Sequence, residues 1–167
     1  TAVFSSDSSF AALKEGGEVV TWGSSNYGGD SSLVSNELSA NVTTIFSNGQ
    51  SYAALKEGGK VVTWGYSYYG GDSSSVSSEL SANVTTLFYN RYAWAALKEG
   101  GEVVTWGQSN YGGDSSAVSS KLSANVTTIY STSYGMVALK VGGEVVTWGS
   151  VDSSAVSSEL SANVTAI

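Results

Sequence analysis

The side chains able to move a proton in this chain are almost all carboxylates. Asp and Glu number 14 against 7 Lys and Arg, with no His and no Cys. The commonest general base, the commonest metal ligand and all thiol chemistry are therefore missing. Glu15, Glu57 and Glu99, with Glu18, Glu102 and Glu144, flank Gly-Gly pairs, where a carboxylate is expected to be exposed and of ordinary acidity. Asp7 has no evident partner in the sequence. Asp30, Asp72, Asp114 and Asp152 each precede a Ser-Ser pair. One carboxylate per segment falls short of the about six to eight oxygens that calcium takes, so these residues are read as turn formers or helix N-caps and no metal is expected. No Gly-rich loop opens a helix in the manner that cradles phosphate, so the Gly-Gly pairs are turn glycines and no cofactor is expected. The chain is not expected to be an enzyme.

Two other sets of residues bear on function. Asn-Val-Thr, the N-glycosylation acceptor pattern, occurs at Asn41, Asn83, Asn125 and Asn163. In a secreted eukaryotic protein these would carry glycans on one rim; in a bacterium the pattern has no such meaning. The second set is a stretch that changes while its surroundings repeat: SSDSSF (5–10), SNGQSY (47–52), YNRYAW (89–94) and STSYGM (131–136). A constant scaffold with one varying loop is the expected form of a binding surface, although an unconstrained loop would drift in the same way. Tyr27, Tyr66, Tyr68, Tyr69 and Tyr111 lie in a Gly-rich loop that repeats well, and folding is the better reading for them.

The elements that hold these residues are four copies of one unit. AALKEGGEVVTWG at 11–23 returns at 53–65, 95–107 and 137–149, so Trp22, Trp64, Trp106 and Trp148 are spaced by 42 residues. Such a period, with one Trp-bearing hairpin per unit, predicts a repeat architecture, a propeller or a solenoid. Each unit reads as a β-branched strand (Val42–Phe46 and its equivalents), the varying stretch, a strand AALK, a Gly-Gly turn, and a strand VVTW. AAL and VVTW are continuous apolar runs, as expected of sheets covered on both faces, and the Trp is large enough to fill the space between two sheets. Val34 and Leu38, and their equivalents, are one helical turn apart. Asn41 and its equivalents suit a left-handed junction into the next strand. The fourth unit has two residues between Gly149 and Asp152 where the others have six, and so loses its Tyr-Gly-Gly loop. Terminal repeats are commonly atypical in this way.

These features predict an all-β, propeller-like repeat protein with four blades of about three strands. The units fall at 1–41, 42–83, 84–125 and 126–163, and 164–167 is a surplus closing strand. Because 1–4 and 164–167 share one register, the ends predict a compact four-bladed ring, pairing with another chain through terminal strands, or an open fragment.

The pattern LK-x-GG-x-VVTWG, a Gly-rich loop, then S-x-V-T-x-I, resembles the repeat of the regulator-of-chromosome-condensation (RCC1) superfamily. Within it, the shortened last repeat resembles the propeller-type β-lactamase inhibitory proteins. The likeness covers all four units, although the family forms seven-bladed rings and its repeats carry Pro and His, which this chain lacks. The resemblance implies a non-catalytic, protein-gripping surface. Carried over position by position, it implicates Ser8, Gln50, Tyr92 and Tyr134, with Arg91 and Trp94 nearby. Tyr, Trp and Arg are the types enriched at interface hot spots. The wider superfamily includes exchange factors for small GTPases; no matching site signature occurs here.

Charge narrows the partners. Charged residues are 13% of the chain and the net charge is −7. Seven basic residues form no stripe to neutralise phosphates, so nucleic acid is not expected. No apolar run approaches the ~20 residues of a membrane span. A protein or glycan partner in an extracellular or cell-surface setting is expected, with a self-assembling structural protein as the alternative.

Overall fold

A computed structural model describes residues 1–167. The strands are those the apolar runs predict. β1 (Ala2–Ser5), β2 (Ser9–Leu13) and β3 (Val19–Gly23) form the first antiparallel sheet. β4 (Val42–Ser47), β5 (Ser51–Lys56) and β6 (Val61–Gly65) form the second. β7 (Val84–Tyr89), β8 (Ala93–Lys98) and β9 (Val103–Gly107) form the third. β10 (Val126–Thr132), β11 (Gly135–Lys140) and β12 (Val145–Gly149) form the fourth. The chain divides into two compact units, Thr1–Val84 and Thr85–Ile167.

Register is the same in every sheet. Phe10 lies opposite Trp22, Tyr52 opposite Trp64, Trp94 opposite Trp106 and Met136 opposite Trp148. The central strands β5 and β8 are buried along nearly their whole length, which is why they read as unbroken apolar runs. After each sheet the chain makes a 3₁₀ turn at Ser32–Val34, Ser74–Val76, Ser116–Val118 or Ser154–Val156, preceded in the first three repeats by another at Ser25–Tyr27, Ser67–Tyr69 or Ser109–Tyr111. A four-residue α-helical turn, Ser119–Leu122, is added in the third repeat. The Val34–Leu38 spacing is thus helical, as one turn: the Leu38 N–H donates to the Val34 carbonyl at 3.0 Å.

The joint from one repeat to the next is explicit in the backbone. Gly16 and Gly17 both take positive φ. The Gly16 and Gly17 carbonyls accept the N–H groups of Asn41 and Val42 at 3.3 and 3.1 Å. A Cβ on Gly17 would stand 2.6 Å from the Asn41 nitrogen, so the approach requires glycine as well as the turn. Asn41, Asn83, Asn125 and Asn163 sit at φ of 63 to 66°, the left-handed region that Asn tolerates. One residue on, a register shift between Val42 and Thr44 lets the Thr43 hydroxyl donate to the Leu55 carbonyl at 2.9 Å. Thr127 does the same to Leu139. The Asn-Val-Thr repeat therefore has a folding cause: Asn for the backbone angle, Thr for the bulge.

The final stretch differs from expectation. Residues 164–167 pair with no strand, and Ile167 is exposed. The Val164 N–H donates to the Gly143 carbonyl at 3.2 Å, like its equivalents Val42 and Val126.

Each Asp of the Ser-Ser segments forms a turn with its own backbone. Asp30, Asp72, Asp114 and Asp152 accept the N–H of the Ser two residues on at 2.8 to 2.9 Å. That backbone bond, with a smaller share from the Ser hydroxyl, holds each carboxyl below its ordinary value of about 3.8. A depressed value means that the folded chain favours the carboxylate. The contribution is complete above the unfolded value and is lost as pH falls through the lower folded one. Replacing all four by Asn keeps an acceptor for the turn but removes the titration. The thermal midpoint of that variant should fall less steeply than the parent's as pH drops below about 4. Superimposable acid limbs would mean that these turns add nothing to stability.

Candidate functional site

The varying stretch is built around a clamp that does not vary in role. Asn48 Oδ1 accepts the N–H groups of Gln50 and Ser51 at 3.0 and 2.8 Å. Asn90 Oδ1 accepts those of Tyr92 and Ala93, both at 2.9 Å. Ser6 Oγ takes the corresponding N–H groups of Ser8 and Ser9, and Thr132 Oγ1 that of Tyr134. The second arm of the clamp reaches the Gly-rich loop: Asn48 Nδ2 donates to the Tyr69 carbonyl at 2.9 Å and Asn90 Nδ2 to the Tyr111 carbonyl at 2.8 Å. Ser6 and Ser9 hydroxyls do the same to Tyr27. The loop is thus fixed by its second residue, and its fourth (Ser8, Gln50, Tyr92 or Tyr134) is presented at a set position.

The candidate residues separate into three kinds. Ser8, Arg91 and Tyr134 are exposed, and Tyr92 is half-buried. Tyr134 is 61% accessible. Gln50 is buried, and its amide donates to Asp7 Oδ2 at 2.8 Å. Asp7 is in turn tied down by its own N–H, which donates to the Gly49 carbonyl. Gln50 and Asp7 brace the surface of the first unit more than they offer side chains to a partner.

Trp94 requires a correction. It is fully buried (0% accessible), stacked on Trp106 with centroids 6.0 Å apart and packed against Tyr89. The sixth residue of the varying stretch is the cross-strand partner of the repeat's Trp; Tyr52, Trp94 and Met136 are fully buried there, whereas Phe10 is 44% accessible. The signal was in the sequence: this position changes identity but is large and apolar in all four units.

Tyr111 is a residue for which the sequence favoured a folding role over a binding one. Its ring lies between Tyr92, at 4.4 Å, and Tyr134, at 6.0 Å. In the second unit these three rings form one continuous aromatic surface, Tyr92–Tyr111–Tyr134. The first unit has its own cluster, in which Tyr66 meets Tyr27 at 6.0 Å and Tyr69 at 5.1 Å, and Tyr68 meets Tyr69 at 5.6 Å. Tyr66 and Tyr68 are exposed. A wide cleft of about 1170 Å³ also opens in this unit, floored by Trp64 and edged by Leu33, Asp30 and Asp72. The four sequon residues, Asn41, Asn83, Asn125 and Asn163, are all exposed.

Four three-stranded antiparallel sheets in a common register, each with a Trp-bearing hairpin and a clamped loop, define a propeller-like repeat protein. Its repeat fold is of the RCC1 type. Solved structures that share it include human WBSCR16, at 17% identity and a TM-score of 0.56, matching 85% of this chain and 45% of its own. Yeast RCC1 (Prp20), in complex with Kap60, matches at 16% identity and a TM-score of 0.56, over 89% of this chain and 43% of its own. The ectodomain of the Physcomitrella patens receptor kinase CR4 matches at 16% identity and a TM-score of 0.54, over 88% and 40%. The chain spans less than half the length of each. No protein-family model and no curated protein sequence matches it. The narrower likeness to the β-lactamase inhibitory proteins rests on the sequence motifs alone.

Packing and presentation are separable by mutation. Trp94→Ala should cost roughly 3–5 kcal/mol in urea unfolding, the range for removing a buried aromatic. Tyr134→Ala should stay within about 0.5 kcal/mol of the parent. Equal costs at the two positions would contradict this division.

Proposed function

We propose that this chain is a non-catalytic binding scaffold that grips a protein partner through its clamped loops, centred on Tyr92, Tyr111 and Tyr134 with Arg91 beside them. The observation that carries the reading is the continuous Tyr92–Tyr111–Tyr134 surface. Tyr gives a large, amphipathic contact area for few rotatable bonds, which is why it dominates binding surfaces built on rigid frameworks. Ser8 holds the equivalent position in the first repeat and is exposed there on its own unit. Fold relatives support a protein partner: yeast RCC1 (Prp20) is described in complex with Kap60, and with binding properties toward Gsp1p and histones. A glycan is the other ligand that exposed Tyr rings suit.

An extracellular or cell-surface setting belongs with this reading. A surface weak in charge and rich in Ser and Thr suits it, as do exposed acceptors at Asn41, Asn83, Asn125 and Asn163. Secretion from a eukaryotic host followed by intact mass measurement should show added glycan; the mass of the bare chain would discard this part.

Binding is tested with defined probes: Kap60, Gsp1p, core histones and a glycan array, each against the parent chain and the double variant Tyr92→Ser, Tyr134→Ser. At least one protein should bind the parent and lose about thirtyfold or more in affinity to the variant, the scale of one or two hot-spot residues. Capture of glycans alone would make the surface a lectin-like one. Protein binding that the double variant leaves unchanged would remove these residues from the site.

A further inference from the structure

Within each unit, one repeat is seated on the next by the same joint. In the first unit, Val34 and the fully buried Leu38 of repeat one pack on Ile45, Val62 and Trp64 of repeat two. The Trp64 indole N–H donates to the Gly28 carbonyl at 3.0 Å, Lys56 Nζ donates to the Glu37 carbonyl, and Lys60 pairs with the Glu37 carboxylate. The second unit repeats the arrangement: Val118 and Leu122 pack on Ile129, Val146 and Trp148. The Trp148 N–H donates to the Gly112 carbonyl at 3.0 Å, and Lys140 Nζ to the Lys121 carbonyl at 2.6 Å.

Both halves of this joint also stand on exposed surfaces, the receiving half in the first unit and the inserting half in the second. The receiving half is on the first sheet. Trp22 is 45% accessible where Trp64 is 4%, and Phe10, stacked on it at 5.4 Å, is equally open. Val20 and Val3, which correspond to the buried Val62 and Ile45, are exposed as well. Lys14, the counterpart of Lys56, finds no main-chain carbonyl and pairs instead with Glu18 on the surface at 2.7 Å. The inserting half is on the fourth repeat. Val156 is 46% accessible and Leu160 is half-buried, where Leu38 and Leu122 are each 1%.

We propose that two copies of the chain associate head to tail, the fourth repeat of one seating on the first sheet of another by the joint that already links repeats within each unit. Val156 and Leu160 would cover Phe10, Val20 and Trp22, and Lys14 Nζ would take the Glu159 carbonyl, the position equivalent to Glu37 and Lys121. The occupant is a second copy because the surface to be covered is the template for this repeat and the chain carries the matching half. The contact is heterologous: the two partners use different surfaces. It differs from pairing through terminal strands, since residues 164–167 form none. One element is missing from the new joint. The shortened loop of the fourth repeat has no glycine carbonyl for the Trp22 N–H, so the contact is weaker than the internal ones and depends on concentration.

Sedimentation velocity over a concentration series tests the proposal, using the whole chain and two variants, Trp22→Glu and Val156→Glu. Both positions are solvent-accessible, so each variant should keep the parent's circular dichroism and melting temperature. The parent should grow in mass with concentration. Each variant alone should stay monomeric, its association at least about thirtyfold weaker. Mixed, the two variants should form a 1:1 heterodimer and nothing larger, because Trp22→Glu retains an intact fourth repeat and Val156→Glu an intact first sheet. A parent that is monomeric throughout overturns the proposal. So does Val156→Glu self-association, which would mean that first sheets meet face to face. Failure of the mixed variants to pair would do the same. Tyr92 and Tyr134 take no part, so loss of this contact and loss of partner binding are separate results.

Discussion

One contact holds each compact unit together: a tryptophan on the third strand of its second repeat, Trp64 or Trp148, gives its indole N–H to a glycine carbonyl of the repeat before, Gly28 or Gly112. The ring brings the area whose burial drives the sheets together. The N–H fixes the orientation, because a buried donor without an acceptor would cost about 1–3 kcal/mol. The acceptor lies in the Gly-rich loop, with Gly28 and Gly112 at positive φ. A Cβ on Gly28 would fall 2.5 Å from the Tyr52 ring, so the loop reaches the indole only as glycine. Turn chemistry and core packing are thereby made to depend on each other.

With the sheets fixed in this way, the loop that leads into the second strand of each repeat is free to differ. Their backbones are set by Ser6, Asn48, Asn90 or Thr132, each using a short polar side chain to close the turn. The chemistry of the fourth residue then changes without a change in path. Phenol, amide and hydroxyl occupy equivalent positions on a common frame. The four turn aspartates bond their own backbone, and Glu37 is held below its ordinary range first by its hydrogen bond to Lys60.

The fold was largely legible in the sequence because the repeat lets each prediction be made four times. Periodicity gave the strands, Gly-Gly gave the hairpins, and Asn41 and its equivalents gave the left-handed junctions. The site was less legible, and for a physical reason. Variation marks positions free of one constraint, and it does not say which. Trp94 varies because several large apolar groups can lie against a tryptophan; Tyr134 varies because it faces solvent. Tyr111 repeats because its backbone is an anchor, yet its ring shares the surface with Tyr92 and Tyr134. The exposure of Trp22 was not legible either: its local sequence matches that of the buried Trp106, AALKEGGEVVTWG in both. The difference lies in what covers it, which no local pattern records.

The common register of the four sheets has a consequence for how the chain reaches its native state. Strands pair with neighbours a few residues away, so each sheet closes quickly and on its own. Near-identical hairpins leave little to tell one repeat from another while the joints are forming, and a hairpin docked one place out of order would lose no backbone pairing. The residue opposite each tryptophan is the distinguishing mark. Phe10, Tyr52, Trp94 and Met136 differ in volume and polarity, and only Tyr52 carries a hydroxyl that reaches Ser9. Within its unit Tyr52 acts as an address: its hydroxyl reaches Ser9 of the repeat before, a partner that a misplaced repeat would not offer it.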